Sequence, residues 1–349
     1  MAKSAAAPSS VEHPRLWRRL PAGLRALGGR QELVILALLV LVAGAISTQS
    51  ENFFTGTNLL NVTLSMSWFA IAAIGVSIVI LVGGVDLSVG AVMALAGLVS
   101  ALCAQAGLPT MVAVGAGLLS GALVGLANGA LVGLAGLPPF IVTLGTMGVA
   151  RGVALGMTSG APLRDLPPTF RAIGQSELAL GPLLVPLPLI WLACLALLVS
   201  LLLSCTVLGR YIYTLGSNER ALLLAGVSTR QVKVIVYAMC GMLAACGGVI
   251  MTARLGVAAP TAAVGYELDI IAVAVIGGTS LFGGEGSVLG VLLGAALMQI
   301  VRNGMVLLGL PAYWQVGVIG AIILTVVLLD YWRRRGLIYS KRWAVGNER

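Results

Sequence analysis

The chain reads as an all-α integral membrane protein of about ten transmembrane helices, with glycine-rich packing, broken helices and a possible internal repeat. Three observations predict this. Of 349 residues, 59% are hydrophobic and 9% charged, and the mean hydropathy is +1.03. A water-facing globule carries roughly 25% charged residues, so this chain has too little polar surface to be one. The charges gather between apolar runs, and the 46 glycines fall in stripes along those runs or in pairs that interrupt them.

The charges set the topology. Lys3, Arg15, Arg18, Arg19, Arg25 and Arg30 precede the first apolar run, and Arg333, Arg334, Arg335, Lys341, Arg342 and Arg349 follow the last. Arg210, Arg220, Arg230 and Lys233 cluster in one internal stretch. Basic flanks mark the cytoplasmic side of a membrane protein. The net charge of +9 therefore speaks of lipid and topology and not of nucleic acid. Both termini and the loop 208–232 are expected in the cytoplasm, which demands an even number of crossings. At about 20 residues per span, ten fit: 33–47, 60–82, 88–104, 110–134, 139–157, 186–207, 233–253, 268–282, 287–308 and 314–330. Residues 1–32 and 333–349 are then basic cytoplasmic tails around a polytopic domain at 33–332, and 158–185 faces outward. Ala43-Gly44-Ala45 could close a signal peptide, but a 32-residue leader is long for one, so the first helix is expected to be retained.

Several chemistries are excluded. The single histidine is His13, and the lysines are Lys3, Lys233 and Lys341, none in a GK[ST] context. That leaves no Ser-His-Asp catalysis, no histidine metal site and no phosphate loop. The chain is expected to have no catalytic residue, to bind no metal or cofactor of its own, and not to be an enzyme. Cys103, Cys194, Cys205, Cys240 and Cys246 lie inside apolar runs without CxxC spacing and read as small buried apolar residues.

Glycine recurs every fourth residue at Gly117, Gly121, Gly125, Gly129 and Gly133, again at Gly148, Gly152, Gly156 and Gly160, and at Gly286, Gly290 and Gly294. In lipid, helices are held together by close backbone approach along such small-residue faces, so three tightly packed interior helices are expected. Two apolar runs are broken in similar ways. Gly83-Gly84 leads to Asp86 and Ser88, and Gly277-Gly278 leads to Glu285 and Ser287. Asn128-Gly129 before Leu137-Pro138 echoes Asn303-Gly304 before Leu310-Pro311. The echoes suggest two related halves with breaks in matching places. Asp86 and Ser88 can cap a restarting helix, and Asp86, Ser88, Asn128, Glu285, Arg302 and Asn303 are candidates for a gate or translocation path. Arg302 lies deep enough to need a partner such as Asp269 or Glu285, whereas snorkelling accounts for Arg151 and Arg254. No acidic chain suited to a proton-driven carrier is present.

Within 208–232, Ser217 or Asn218 can N-cap a short helix that Gly226 ends, with Glu219 in its first turn. Such a helix, held between two spans and flanked by Arg220 and Arg230, suits docking of another protein.

Four stretches in order, GVDLSVGAVMALAG (84–97), LPPFIVTLGTMGVARG (137–152), LGRYIYTLGSNERALLLAGV (208–227) and AVIGGTSLFGGEGSVLG (274–290), resemble the permease subunits of ribose-type sugar ABC importers over most of 33–332. The resemblance implies ATP-driven import of a monosaccharide, a ribose-like pentose or a hexose, by alternating access in the bacterial cytoplasmic (inner) membrane. It implies a second permease copy or paralogue, an ABC ATP-binding subunit that uses ATP and Mg, and a periplasmic or lipid-anchored substrate-binding protein. Asn218, Glu219, Arg220, Ala225 and Gly226 resemble the coupling helix that meets the ATPase, and Arg164, Asp165 and Arg171 are candidates for contact with the binding protein. Permeases for branched-chain amino acids, nucleosides or autoinducer-2, and a self-sufficient carrier or channel, are the alternatives.

Overall fold

In lipid a backbone must satisfy its own N–H and C=O groups, so each apolar run has to be helical. The computed structural model describes residues 30–180 and 183–311 and, with gaps, 313–328; the expectations for the two basic tails lie outside these residues. The helices are α1 (Arg30–Ser47), α2 (Gly56–Leu81), α3 (Val89–Gln105), α4 (Thr110–Gly129, continued as a π-helix over Ala130–Leu134), α5 (Pro139–Thr158), α6 (Pro168–Gln175) and α7 (Leu187–Cys205). They continue with α8 (Val207–Ser217), α9 (Glu219–Leu224), α10 (Thr229–Leu255), α11 (Tyr266–Ile276), α12 (Val288–Leu307) and α13 (Tyr313–Ile322). The protein is an all-α membrane protein. Six helices, α2, the α4 pair, α5, α7, α10 and α12, are long and apolar enough to cross a membrane, and α1, α3 and α13 are shorter apolar helices. A two-stranded antiparallel hairpin, β1 (Glu177–Leu180) and β2 (Leu183–Pro186), sits in the stretch expected to be a polar loop.

One expected span is helical over only part of its length. The run 268–282 folds only as α11, whose 11 residues reach about 16 Å, half the hydrocarbon thickness. The chain before it, 256–265, dips inward instead, so that Ala263 O lies against Gly90 near the start of α3.

α10 is the centre of the bundle and packs against α4, α2 and α3. α2 runs antiparallel to it: a Cβ at Gly75 would lie 3.1 Å from the Leu243 Cβ, and one at Gly247 would lie 2.6 Å from Trp68 O. The long buried run Ser67–Leu81 of α2 is covered on its other sides by α11, α12 and α7.

The chain's turns sort to two ends. The C-terminus of α2, the π-helix, the start of α5, α8, α9, the start of α10, the end of α11 and the start of α12 share one end, here the α9 end. α1 also starts there, because the Ser287 hydroxyl donates to the Glu32 carboxylate. α6 lies at the other end, where Gly174 packs against the backbone of Arg254. The start of α1 and the loop 208–232 therefore share one end of the bundle.

Two of the three glycine stripes are packed. A Cβ at Gly121 would meet Gly241 O and the Ala245 Cβ at 2.5 Å, one at Gly129 the Val234 Cα at 2.7 Å, and one at Gly133 Arg230 O at 2.6 Å. Gly290 and Gly294 press on Gly277 and Val273 in the same way. The stripe on α5 is different. Nothing in the described chain lies within 4 Å of a Cβ at Gly148, Gly152, Gly156 or Gly160, which corrects the expectation of a third interior helix. Periodicity marks a face, and this face is turned outward. Cys194 and Cys205 are likewise exposed on α7 and not buried, because that helix presents most of its circumference outward.

Candidate functional site

At the α9 end, both glycine breaks and the loop 208–232 meet. α2 ends at Leu81 with Val82 as its C-cap, and Gly83, at φ +76°, turns the chain where a side chain would be strained. Val85 follows, its carbonyl accepting a hydrogen bond from the Tyr237 hydroxyl at 3.2 Å. Tyr237 lies about 12 Å along α10 from its first residue, so the segment runs inward from the end of the bundle. Asp86 is then buried, and its Oδ1 accepts from Ser88 N–H at 2.8 Å and from the Ser88 hydroxyl at 2.6 Å. Asp86 thus holds Ser88, the N-cap residue of α3, and no side chain caps the helix itself. Instead Ser88 Oγ accepts from Asn128 Nδ2 at 3.0 Å. Three of the six gate candidates, Asp86, Ser88 and Asn128, therefore form one buried network.

The second break closes on itself. Ser280 N–H donates to Glu285 O at 2.8 Å, and Glu285 lies exposed in this loop. Ser287 caps α12 by accepting from Gly290 N–H at 3.0 Å. The two breaks touch: Gly284 N–H donates to Leu81 O at 2.9 Å. Gly216, near the end of α8, fits between them, for a Cβ there would collide with Leu81 O and Gly284 N. The Tyr213 hydroxyl, one turn earlier, donates to Gly286 O at 2.9 Å.

α9 follows immediately. Asn218 N-caps it by accepting from Ala221 N–H at 3.0 Å, and Gly226, at φ +76°, ends it, as the sequence predicts. Glu219 pairs with Lys233 at 2.8 Å, and this hydrogen bond holds its carboxyl below the ordinary value of 4.5. Arg220 and Ala225 are exposed. Leu222 is buried and anchors the helix, while Leu223 is 55% and Leu224 90% exposed. These two leucines were not singled out by motif. The available signal was an apolar run too long for a solvated helix between charged flanks. A cavity of about 520 Å³ opens beside α9, lined by Gly84, Pro139, Ser217, Asn218, Lys233 and Tyr237 among others.

The remaining gate candidates lie elsewhere. Arg302 pairs with Asp269 and sits 5.4 Å from the Phe69 ring centre and 5.1 Å from that of Tyr266. Asn303 exchanges amide hydrogen bonds with Asn58 at 2.7 and 2.9 Å, near the other end of α2. The Asn128 and Asn303 echo is therefore not structural. Arg151 does not snorkel: its guanidinium donates to Pro260 O at 2.8 Å and Ala262 O at 2.7 Å, holding the inward dip of 256–265. At the end opposite α9, Arg164, Asp165 and Arg171 surround one open cavity of about 420 Å³ with Leu166, Gly256 and Val257. Among the described residues no group of three His, Cys, Asp or Glu side chains could hold a metal ion.

The α9 end thus brings two broken helices together with a surface helix that exposes two leucines. Residues 58–327 match the family profile described as the permease component of the branched-chain amino acid transport system. The chain belongs to this permease family. It is 44% identical over 304 residues to the ribose import permease RbsC of Escherichia coli K12, covering 85% of this chain and 92% of that one. It is 36% identical over 297 residues to the D-allose transport system permease AlsC of the same organism, covering 85% and 89%. To the xylose transport system permease XylH of Haemophilus influenzae it is 31% identical over 365 residues, covering 88% and 97%. No solved structure matches the chain. As a permease of this family it is a transport subunit, and the α4, α10 and α12 glycine contacts are the packing of a permease bundle.

Proposed function

We propose that this permease is the membrane subunit of an ATP-driven importer that moves a monosaccharide of the ribose class into the cytoplasm. The observation that carries the coupling half of this reading is α9. A capped helix whose exposed face holds Leu223 and Leu224 at 55% and 90% exposure needs a partner to cover it, since large apolar side chains on a water-facing element mark an interaction site. The ATP-binding subunit is that partner. It holds the ATP and Mg, and this chain contributes the docking helix, with Asn218 and Gly226 fixing its ends and Glu219 tying it to α10. The sugar half is supported by relatives whose names state ribose, allose and xylose, although the family description names branched-chain amino acids.

In this reading the α9 end is cytoplasmic, and the opposite end meets the soluble sugar-binding protein. Arg164 and Arg171 flank an open cavity there and suit carboxylates on that protein. The outward glycine face of α5 suits a second permease copy, because such a face gives close helix contact in lipid. Docking of the loaded binding protein and closure of two ATP-binding subunits would push the α9 helices, and the broken helices behind them would switch the path from outward to inward facing.

The test is uptake of radiolabelled ribose, allose and xylose by proteoliposomes holding this chain with its ATP-binding subunit and binding protein. Uptake of one of these sugars that requires ATP is expected, and L224E should abolish both uptake and copurification of the ATP-binding subunit. Sugar flux through the chain alone, or L224E with undiminished uptake, would sink the proposal.

A further inference from the structure

Each of the two glycine breaks accepts a hydrogen bond from a tyrosine hydroxyl, with Val85 O taking a second, longer one from Thr143 at 3.4 Å, and both tyrosines lie on routes that begin at α9. On one route, α8 runs straight into the α9 cap, and its Tyr213 hydroxyl donates to Gly286 O in the second break at 2.9 Å. On the other, Glu219 of α9 holds Lys233 at 2.8 Å. One turn further along α10, the Tyr237 hydroxyl donates to Val85 O in the first break at 3.2 Å. Nothing is slack between these points. A Cβ at Gly84 would lie 2.6 Å from the Tyr237 hydroxyl, and one at Gly284 would lie 2.9 Å from the Ser217 Cβ. The two breaks are themselves joined by Gly284 N–H to Leu81 O.

We infer that Tyr213 and Tyr237 are positioning residues for transport: each passes the movement of α9 to one broken helix, Tyr213 to the 277–287 break and Tyr237 to the 82–88 break. A carbonyl in a helix break is free of the helical ladder, so a hydroxyl bonded to it can position it and shift it when the helix carrying that hydroxyl moves. A displacement of α9 reaches the first break through a side-chain pair and the second through continuous backbone. The two breaks are thus addressed separately, although they touch. This inference rests on α9 being the helix that meets the ATP-binding subunit.

The experiment follows amide hydrogen exchange in peptides covering 82–88 and 278–287 of the reconstituted complex, with and without ATP, alongside radiolabelled ribose uptake per ATP hydrolysed. In the wild type, ATP should change exchange in both segments. In Y237F the response of 82–88 should be lost and that of 278–287 kept, in Y213F the reverse. Each variant should move about fivefold less sugar per ATP, the size of one hydrogen bond. K233A, which alters a partly exposed side chain, should silence only 82–88 and serves if Y237F folds poorly. Variants whose two segments respond as in the wild type, or lose both responses together, overturn the latches while leaving the proposed function standing. A wild-type complex in which ATP changes neither segment and drives no uptake overturns that function and the latches with it.

Discussion

α4 and α5 carry the same sequence signal and meet opposite fates. Both have glycine at every fourth position, and in the most apolar stretch of each only 22% of residues are buried. On α4 the buried minority is the glycine face itself, with Gly117, Gly121, Gly125 and Gly129 all buried against α10 or α3. On α5 the buried residues are Val142, Thr143, Ala150 and Ala154, and the glycines point away. A small-residue face therefore states how closely a neighbour can come, and the rest of the helix decides whether that neighbour belongs to the same chain. α5 is attached through its other side, by the bonds of Arg151 to Pro260 O and Ala262 O and by the Thr143 hydroxyl to Val85 O at 3.4 Å.

The sharpest way to break this comparison is to put the same large residue on each face. Leucine at Gly125 would drive side-chain atoms into Tyr237 O and the Ala238 Cα, which are backbone and cannot swing aside. Overpacking of a tight site costs about 1–3 kcal/mol where side chains can shift, and more against backbone. G125L should therefore give little folded protein by detergent size-exclusion chromatography. G152L should fold normally as a single chain, since nothing lies within 4 Å there. If the α5 face receives a second copy, G152L should run as a smaller particle than the wild type in the same experiment. A G152L chain as poorly folded as G125L would refute the distinction between the two faces.

Removing what does hold α5 comes next in size. Hydrogen bonds to a charged donor contribute about 1.5–3 kcal/mol, and Arg151 makes two to carbonyls that have turned out of any helix. R151A should lower the melting temperature of the detergent-purified chain by several degrees, with R151K recovering part of the loss because an ammonium can reach one carbonyl but not both. An unchanged melting temperature in R151A would mean that α5 is held by its apolar contacts alone.

What the sequence made legible follows from the range of each signal. Each apolar run is a local property, and each became a helix. The α9 cap is local too, and Asn218 and Gly226 sit where the pattern of cap and stop residues puts them. Contacts between remote segments left no such mark. Gly216 reads as one more glycine until it is found wedged between Leu81 O and Gly284 N. Arg302 chose Asp269 and not Glu285, a choice that depends on the half-length α11 presenting Asp269 at depth. Arg151 looked like a snorkelling side chain because the inward dip of 256–265 that supplies its acceptors has no apolar periodicity of its own. The 268–282 run reads as a full span for a related reason: its apolar character continues through Gly277-Gly278, where the helix stops and Gly278 takes φ +95°.

The smallest expected effect lies at the foot of the α4 seam, where a Cβ at Gly133 would come within 3.2 Å of the Lys233 Cβ and Lys233 reaches out to Glu219. This pair ties the packed stripe to α9, and among the described residues no ion pair joins α5 to α9. Glu219 is 45% exposed and Lys233 26%, so solvent screens the pair and its contribution to stability is about 0.5 kcal/mol or less. The sign with pH is fixed by the lowered carboxyl. A carboxyl that folding holds below its ordinary value of 4.5 stabilises the fold above that value, and the contribution fades as pH falls through the lowered one. E219Q should therefore melt within a degree or so of the wild type at pH 7, and the small gap should close as the pH is taken below 4.5. Its transport phenotype should exceed its stability phenotype, because the same bond leads from α9 towards the Tyr237 hydroxyl. A large loss of melting temperature in E219Q at neutral pH would show that the pair, and not the glycine contacts alone, holds the α4 seam together.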